Sequence, residues 1–218
     1  KEVSNNVDLS YRFNTDDLNA SVSIFHNQVD NYIFEDFTNL VFSDGGLVSS
    51  QVFADQVATL GESADEAGGL PVVVFAQQNA KLYGYEAQID WHLNDHWRIE
   101  AFTDYTRAKL ASGLNVPRIP PMRIGSSAHY ESGNWHTEME VIRNSKQDKI
   151  AMNETDTRGY TMVSASANYY LALDNVDMTI YIKGDNLTNQ EARVHSSYLK
   201  NEAPLSSRSL SVGVRARF

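Results

Sequence analysis

Cysteine is missing from all 218 residues of the chain. Its absence excludes disulfides and thiolate metal sites, and it leaves the compartment open. No apolar run approaches the ~18 residues with which a helix crosses a bilayer. That excludes a transmembrane helix and leaves transmembrane strands possible. Barrels alternate apolar and polar residues, so their average stays low, and a mean hydropathy of −0.41 suits a barrel as well as a soluble protein. A positive balance is missing too: the net charge of −10 argues against a nucleic-acid partner. Proline is scarce at 5, whereas 11 tyrosines and 9 phenylalanines favour β structure. Serine, histidine and aspartate are scattered without a nucleophile motif, so no enzymatic activity and no catalytic cofactor are expected.

What the chain does have is alternation. The stretch Ser206 to Phe218 ends with Leu210, Val212, Val214, Ala216 and Phe218 on one face and Ser211, Gly213, Arg215 and Arg217 on the other. Period-two alternation signals a strand, and here it runs to an aromatic last residue. The same pattern predicts eight earlier strands, over about 2–14, 18–34, 81–93, 96–110, 119–131, 135–144, 160–173 and 177–187. Residues 2–14 already read as strand without an initiator Met, so the chain is expected to begin in mid-fold.

The connections alternate in length. Short turns follow the first, third, fifth and seventh strands, and longer loops follow the others, the longest over about 36–74. A transmembrane barrel does this because its periplasmic turns are short and its extracellular loops long. Tyr11, Phe13, Trp91, Trp97, Tyr130, Trp135 and Tyr169 lie within a few residues of the short turns, as an aromatic girdle at one membrane interface would. The expected fold is therefore all-β: an antiparallel transmembrane barrel portion of about nine strands. Bacterial single-chain barrels use an even number of strands, so nine implies a piece of something longer. A soluble β-sheet binding domain and a passive porin or autotransporter translocator are the rival readings.

Four segments, in order, carry a family resemblance. They are Ala80–Ala87 (AKLYGYEA), Pro117–Gly125 (PRIPPMRIG), Lys183–Asn189 (KGDNLTN), and the tail from His195-Ser196-Ser197-Tyr198-Leu199-Lys200 to Phe218. Together they resemble the C-terminal half of TonB-dependent outer-membrane receptors. Asn31-Tyr32-Ile33-Phe34 and the His-Ser-Ser-Tyr-Leu stretch point within that family to zinc-uptake receptors related to haem receptors. Ser206-Ser207 depart from the Pro-Gly that many relatives carry before the Arg opening the last strand.

The resemblance implies a 22-stranded barrel with an N-terminal plug in its lumen, of which residues 1–218 supply about the last nine strands. It implies Gram-negative outer-membrane lipid around the barrel. It also implies active import of a scarce nutrient, a zinc ion, haem or a ferric siderophore complex, driven through the TonB complex. The plug and the TonB box are expected to lie outside this chain. Leu210, Val212, Val214, Ala216 and Phe218 would be the signal read by the barrel-assembly machinery.

Candidate metal ligands follow from the histidines. His92, His129 and His136 are expected to point into the lumen near the short turns, with Glu138 and Glu140 beside them, and His96 lies close by. Imidazole and carboxylate together hold Zn²⁺; the plainer reading is a polar wall hydrogen-bonded to the plug. His195 falls in an extracellular loop, where it is either a ligand or simply solvated. Asp55, Glu62, Asp65 and Glu66 make the long loop acidic, with no Lys or Arg between residues 36 and 74. Such a mouth attracts cations, or is merely a soluble surface.

Overall fold

A computed structural model describes the chain except residues 44–45, 61–68, 175 and 218, and the side chains of Phe37 and Leu60. Nine strands run antiparallel in the order β1 (Val3–Asn14), β2 (Leu18–Ser43), β4 (Leu70–His92), β5 (Trp97–Leu110), β6 (Arg123–Ser132), β7 (Trp135–Asn144), β8 (Tyr160–Leu173), β9 (Val176–Asp185) and β10 (Ser209–Arg217). A short strand, β3 (Gly46–Ser49), pairs with the end of β2, and one helix, α1 (Ser50–Leu60), follows it. Strands β1 and β10 are not paired with each other, so the sheet is open. No described helix is long and apolar enough to cross a membrane.

The register aligns the apolar rows. Leu9 lies opposite Ile24, Tyr11 opposite Val22, Ile89 opposite Ala101, Ala128 opposite Met139, and Val212 opposite Ile182. A slip of one residue would turn a whole row to the other face. These rows remain largely exposed: Val7 and Val212 at 70%, Leu9 and Leu210 at 67%. A continuous exposed apolar band this long is what lipid covers.

The short turns explain the tight hairpins. Asn94 accepts the amides of His96 and Trp97 on its Oδ1, at 2.9 and 3.0 Å. Thr15 does the same for Leu18 at 2.9 Å. Gly133 supplies a φ of +57° between β6 and β7, a conformation that glycine adopts without Cβ strain. Beside these turns Trp97 packs at a tilt against Tyr130 and Trp135 against Tyr169, each pair with ring centroids 4.8 Å apart. The girdle is built from cross-strand pairs.

The expected boundaries need correcting at the opposite end. The long segment over 36–74 is mostly structured: β2 runs on to Ser43 and β4 begins at Leu70, giving strands of 26 and 23 residues. A membrane needs only ~9–11, so this hairpin stands well clear of it. The alternation breaks at a bulge between Val29 and Tyr32, where Asn31 takes a φ of +57°. There Asn79 Oδ1 accepts the Asn31 amide at 2.9 Å, and Gln77 Nε2 donates to its carbonyl at 2.9 Å. Side-chain amides thus replace the ladder that the bulge removes. Helix α1 buries Phe53 and Val57 against Val41. The fifth expected strand begins at Arg123, because Pro120-Pro121 cannot donate to a ladder.

Candidate functional site

The inner faces carry polar and charged side chains that pair with their neighbours. Arg98 donates to Asp90 at 2.9 Å and also ion-pairs with Glu100. Arg123 forks onto both oxygens of Asp104, and Lys183 reaches Asp185 at 3.1 Å. The sheet curls around a concavity of about 1380 Å³ lined by Arg12, Glu86, Asp104 and Glu140 from the strands and by Arg193 and His195 from above.

Loops cover its upper end and are tied to one another. Asn115 donates to the Ile150 carbonyl at 2.7 Å, and Gln147 donates to that of Ile119 at 2.8 Å. Arg118 gathers three segments. Its amide donates to Glu154 Oε1 at 2.9 Å, its guanidinium ion-pairs with Glu35, and the same group lies 3.5 Å from the Tyr198 ring centroid.

Glu154 is the centre of this cap. Its side chain and that of His195 are each 1% exposed. Besides the Arg118 amide it accepts the Ala151 amide at 2.9 Å. His195 Nε2 lies 3.2 Å from Glu154 Oε1, close enough to pair but off the hydrogen-bond axis. Nδ1 of the same ring sits 2.8 Å from Thr157 Oγ1 and 3.4 Å from Lys200 Nζ. These partners favour the tautomer with its proton on Nε2. Lys200 also donates to the Thr155 carbonyl at 2.6 Å. Burial works to raise the Glu154 carboxyl, but the adjacent His195 ring and the hydrogen bonds from the two amides outweigh it and hold the group below the ordinary glutamate range. Burial pushes Lys200 down, with Glu154 and Asp156 opposing.

His195 is therefore not solvated: it is a packed member of the loop cap, on the border of the concavity. Arg118, Glu154 and Lys200, which hold the cap together, were not singled out by sequence. Arg118 and Lys200 lie inside motif segments, and a proline-flanked arginine in a loop was the available signal.

At the short-turn end, the structure brings together His129, His136 and Glu138, with one donor atom from each within 4.8 Å of the others. His92 stands apart, exposed beside Asp90 at 3.9 Å. His96 turns its Nδ1 to the Glu131 carbonyl at 2.9 Å. Glu140 sits opposite Ser127, outside the trio. Leu210, Val212, Val214 and Ala216 share the apolar row of β10 as expected, while Phe218 lies outside the described residues. So do Glu62, Asp65 and Glu66 of the acidic segment; Asp55 is described, exposed on α1.

Comparison with known proteins gives the following. The family described as TonB dependent receptor-like, beta-barrel, matches residues 1–187. Among solved structures, the copper transporter OprC matches at 19% identity with a TM-score of 0.75, over 98% of this chain and 31% of that one. The ferric citrate transporter FecA, in its unliganded form, matches at 17% with a TM-score of 0.68, again over 98% and 31%. The FrpB iron transporter from Neisseria meningitidis matches at 14% with 0.65, over 98% and 31%. At these identities the likeness is one of fold, and the chain spans about a third of each.

Proposed function

Because the chain belongs to the TonB-dependent receptor-like β-barrel family, we propose that it is the C-terminal barrel part of a receptor that imports a metal ion or a metal complex. The barrel is an outer-membrane one, so the short turns face the periplasm and the loops the exterior. The observation that carries the reading is the polar concavity roofed by cross-tied loops. It is a chamber between the cell exterior and the periplasm, with mixed charge on its wall.

In this reading the loops capture the ligand. A plug in the lumen, joined to the TonB complex, gates its passage, and no bond is made or broken. Earlier strands complete the barrel and pair with the free edges of β1 and β10, since hydrocarbon does not tolerate unpaired backbone. Outer-membrane lipid covers the outward rows, and the β10 row with Phe218 is read by the barrel-assembly machinery. Zinc is the favoured ion and haem or a ferric siderophore the alternative complex; His195 beside the concavity and the lumen-wall His92, His129, His136, Glu138 and Glu140 are the side chains suited to a metal. The family match speaks against a passive porin or an autotransporter.

A deletion strain and its parent, grown on limiting zinc, haem, ferric chelate or copper, test this directly. The deletion is expected to impair uptake of one of these sources, and removing TonB to impair it equally. Unchanged uptake of all four would refute the reading.

A further inference from the structure

We propose that His129, His136 and Glu138 form a binding site for a first-row divalent transition metal on the lumen wall, near the periplasmic rim. The β6–β7 hairpin builds it. Its register sets His129 opposite Glu138 and Glu131 opposite His136, all on the inner face. The two imidazoles stand with ring centroids 6.4 Å apart, and one donor atom from each of the three residues lies within 4.8 Å of the others. A single ion can reach all three at ordinary metal–ligand lengths with small rotamer adjustments.

Two further observations point to a ligand. First, His129 Nε2 is buried and has no hydrogen-bond partner among the described residues, the nearest carboxylate oxygen being Glu100 Oε2 at 3.8 Å. A buried polar atom left unused is costly, and a metal ion would use it. Second, Glu131 Oε1 lies 2.7 Å from His136 Nδ1. A carboxylate there holds the proton on Nδ1, orients the ring and leaves the Nε2 lone pair free, the arrangement that supports metal-ligating histidines. Arg98, which faces His129 across β5 and β6, does not compete for Glu138 because Asp90 and Glu100 engage it.

The donor set fixes the class of ion. Two imidazole nitrogens and one carboxylate leave a coordination position open. Nitrogen donors select zinc, copper, nickel or cobalt over magnesium and calcium, which take oxygen. All three side chains are only partly buried, and a small rotamer change of His129 would open its buried Nε2 to an ion in the lumen. That a cargo ion meets this site on its way rests on the import reading above; the binding itself does not.

The test uses the intact receptor purified in detergent, stripped with a chelator and titrated with Co²⁺, with Zn²⁺ as competitor. One equivalent of Co²⁺ is expected to give visible absorption that Zn²⁺ abolishes. That equivalent should vanish in His129→Ala and in Glu138→Gln, and bind roughly 10–100-fold more weakly in Glu131→Gln. Heat-modifiable gel mobility identifies variants whose barrel is folded. An unchanged equivalent in folded His129→Ala and Glu138→Gln would overturn the proposal. Loss of the equivalent in those variants, in a protein whose deletion leaves all metal uptake intact, would remove the import reading and keep the site.

Discussion

At the exterior end, Glu154 and His195 are each 1% exposed and tied to amides, a hydroxyl and a lysine from separate loops. At the periplasmic end, the side chains of His129 and His136 are 16% and 29% exposed on a single hairpin. Both clusters are built from histidine and glutamate, and in each one imidazole Nε2 has no hydrogen-bond partner among the described residues, yet they differ in exposure and in how the carboxylate is used. In the loop cap the carboxylate is fully engaged in joining chain segments, so its chemistry is structural. On the lumen wall the unpartnered ring nitrogen stands beside a second imidazole and a carboxylate on partly exposed side chains, so chemistry is left over for a ligand. Residue type sets what a site can do; exposure and the engagement of the carboxylate decide whether it is available.

The comparison breaks most visibly at Glu154. Glu154→Ala leaves two amides without their acceptor and takes the carboxylate from beside His195 and Lys200, and removing one partner of a buried charged set costs about 3–5 kcal/mol. The loss should show as faster hydrogen exchange at Ala151 and Arg118 and as loop proteolysis, with the barrel still resistant to SDS. Glu138→Ala, by contrast, should cost under about 1 kcal/mol, because Glu138 is only partly buried and in no ion pair among the described residues. A charge in the lipid band between the two clusters sets the scale for the barrel itself. Val141→Arg, on the outward row, should cost about 2–4 kcal/mol, read from urea unfolding in lipid vesicles.

Acid sharpens the contrast. Glu154 is held below its ordinary range, so its contribution is fully present above the unfolded value of about 4.3. It is lost as pH falls through the lowered folded value. Exchange protection at Ala151 should therefore collapse in that acidic window while heat-modifiability persists. Within the loop cap the smallest effect is expected from Thr157→Val, which removes one neutral partner of His195 Nδ1 at 2.8 Å. It should cost about 1 kcal/mol, measured by the same exchange at the loop amides.

How much of this was legible in the sequence follows from where partners lie along the chain. His129 and Glu138 are hairpin neighbours across Gly133-Asn134, so alternation and one turn suffice to place them on the same wall. The outward rows and the girdle are legible for the same reason. The loop cap is not: Glu154 meets Arg118 and His195 only after four strands have curled and their loops have met. No local pattern encodes that meeting. The upper hairpin was hidden by a different cause. The bulge at Asn31 shifts the phase of alternation, and the run Val72-Val73-Val74-Phe75 is apolar on both faces, so neither half reads as period two.

That bulge has a mechanical consequence. Above Asn31 the β2–β4 hairpin keeps one register for about six residues, roughly 20 Å at ~3.3 Å each, before a second break between Phe37 and Val41. Treated as a stiff arm pivoting at Asn31, that stretch converts a bend of ~10° into ~3.5 Å of travel at its upper end. Arg118 grips Glu35 just above the pivot, like a stay fastened near the foot of a mast. A shift at Arg118, in the loop cluster it shares with Glu154, would by this leverage be enlarged along that stretch of the hairpin.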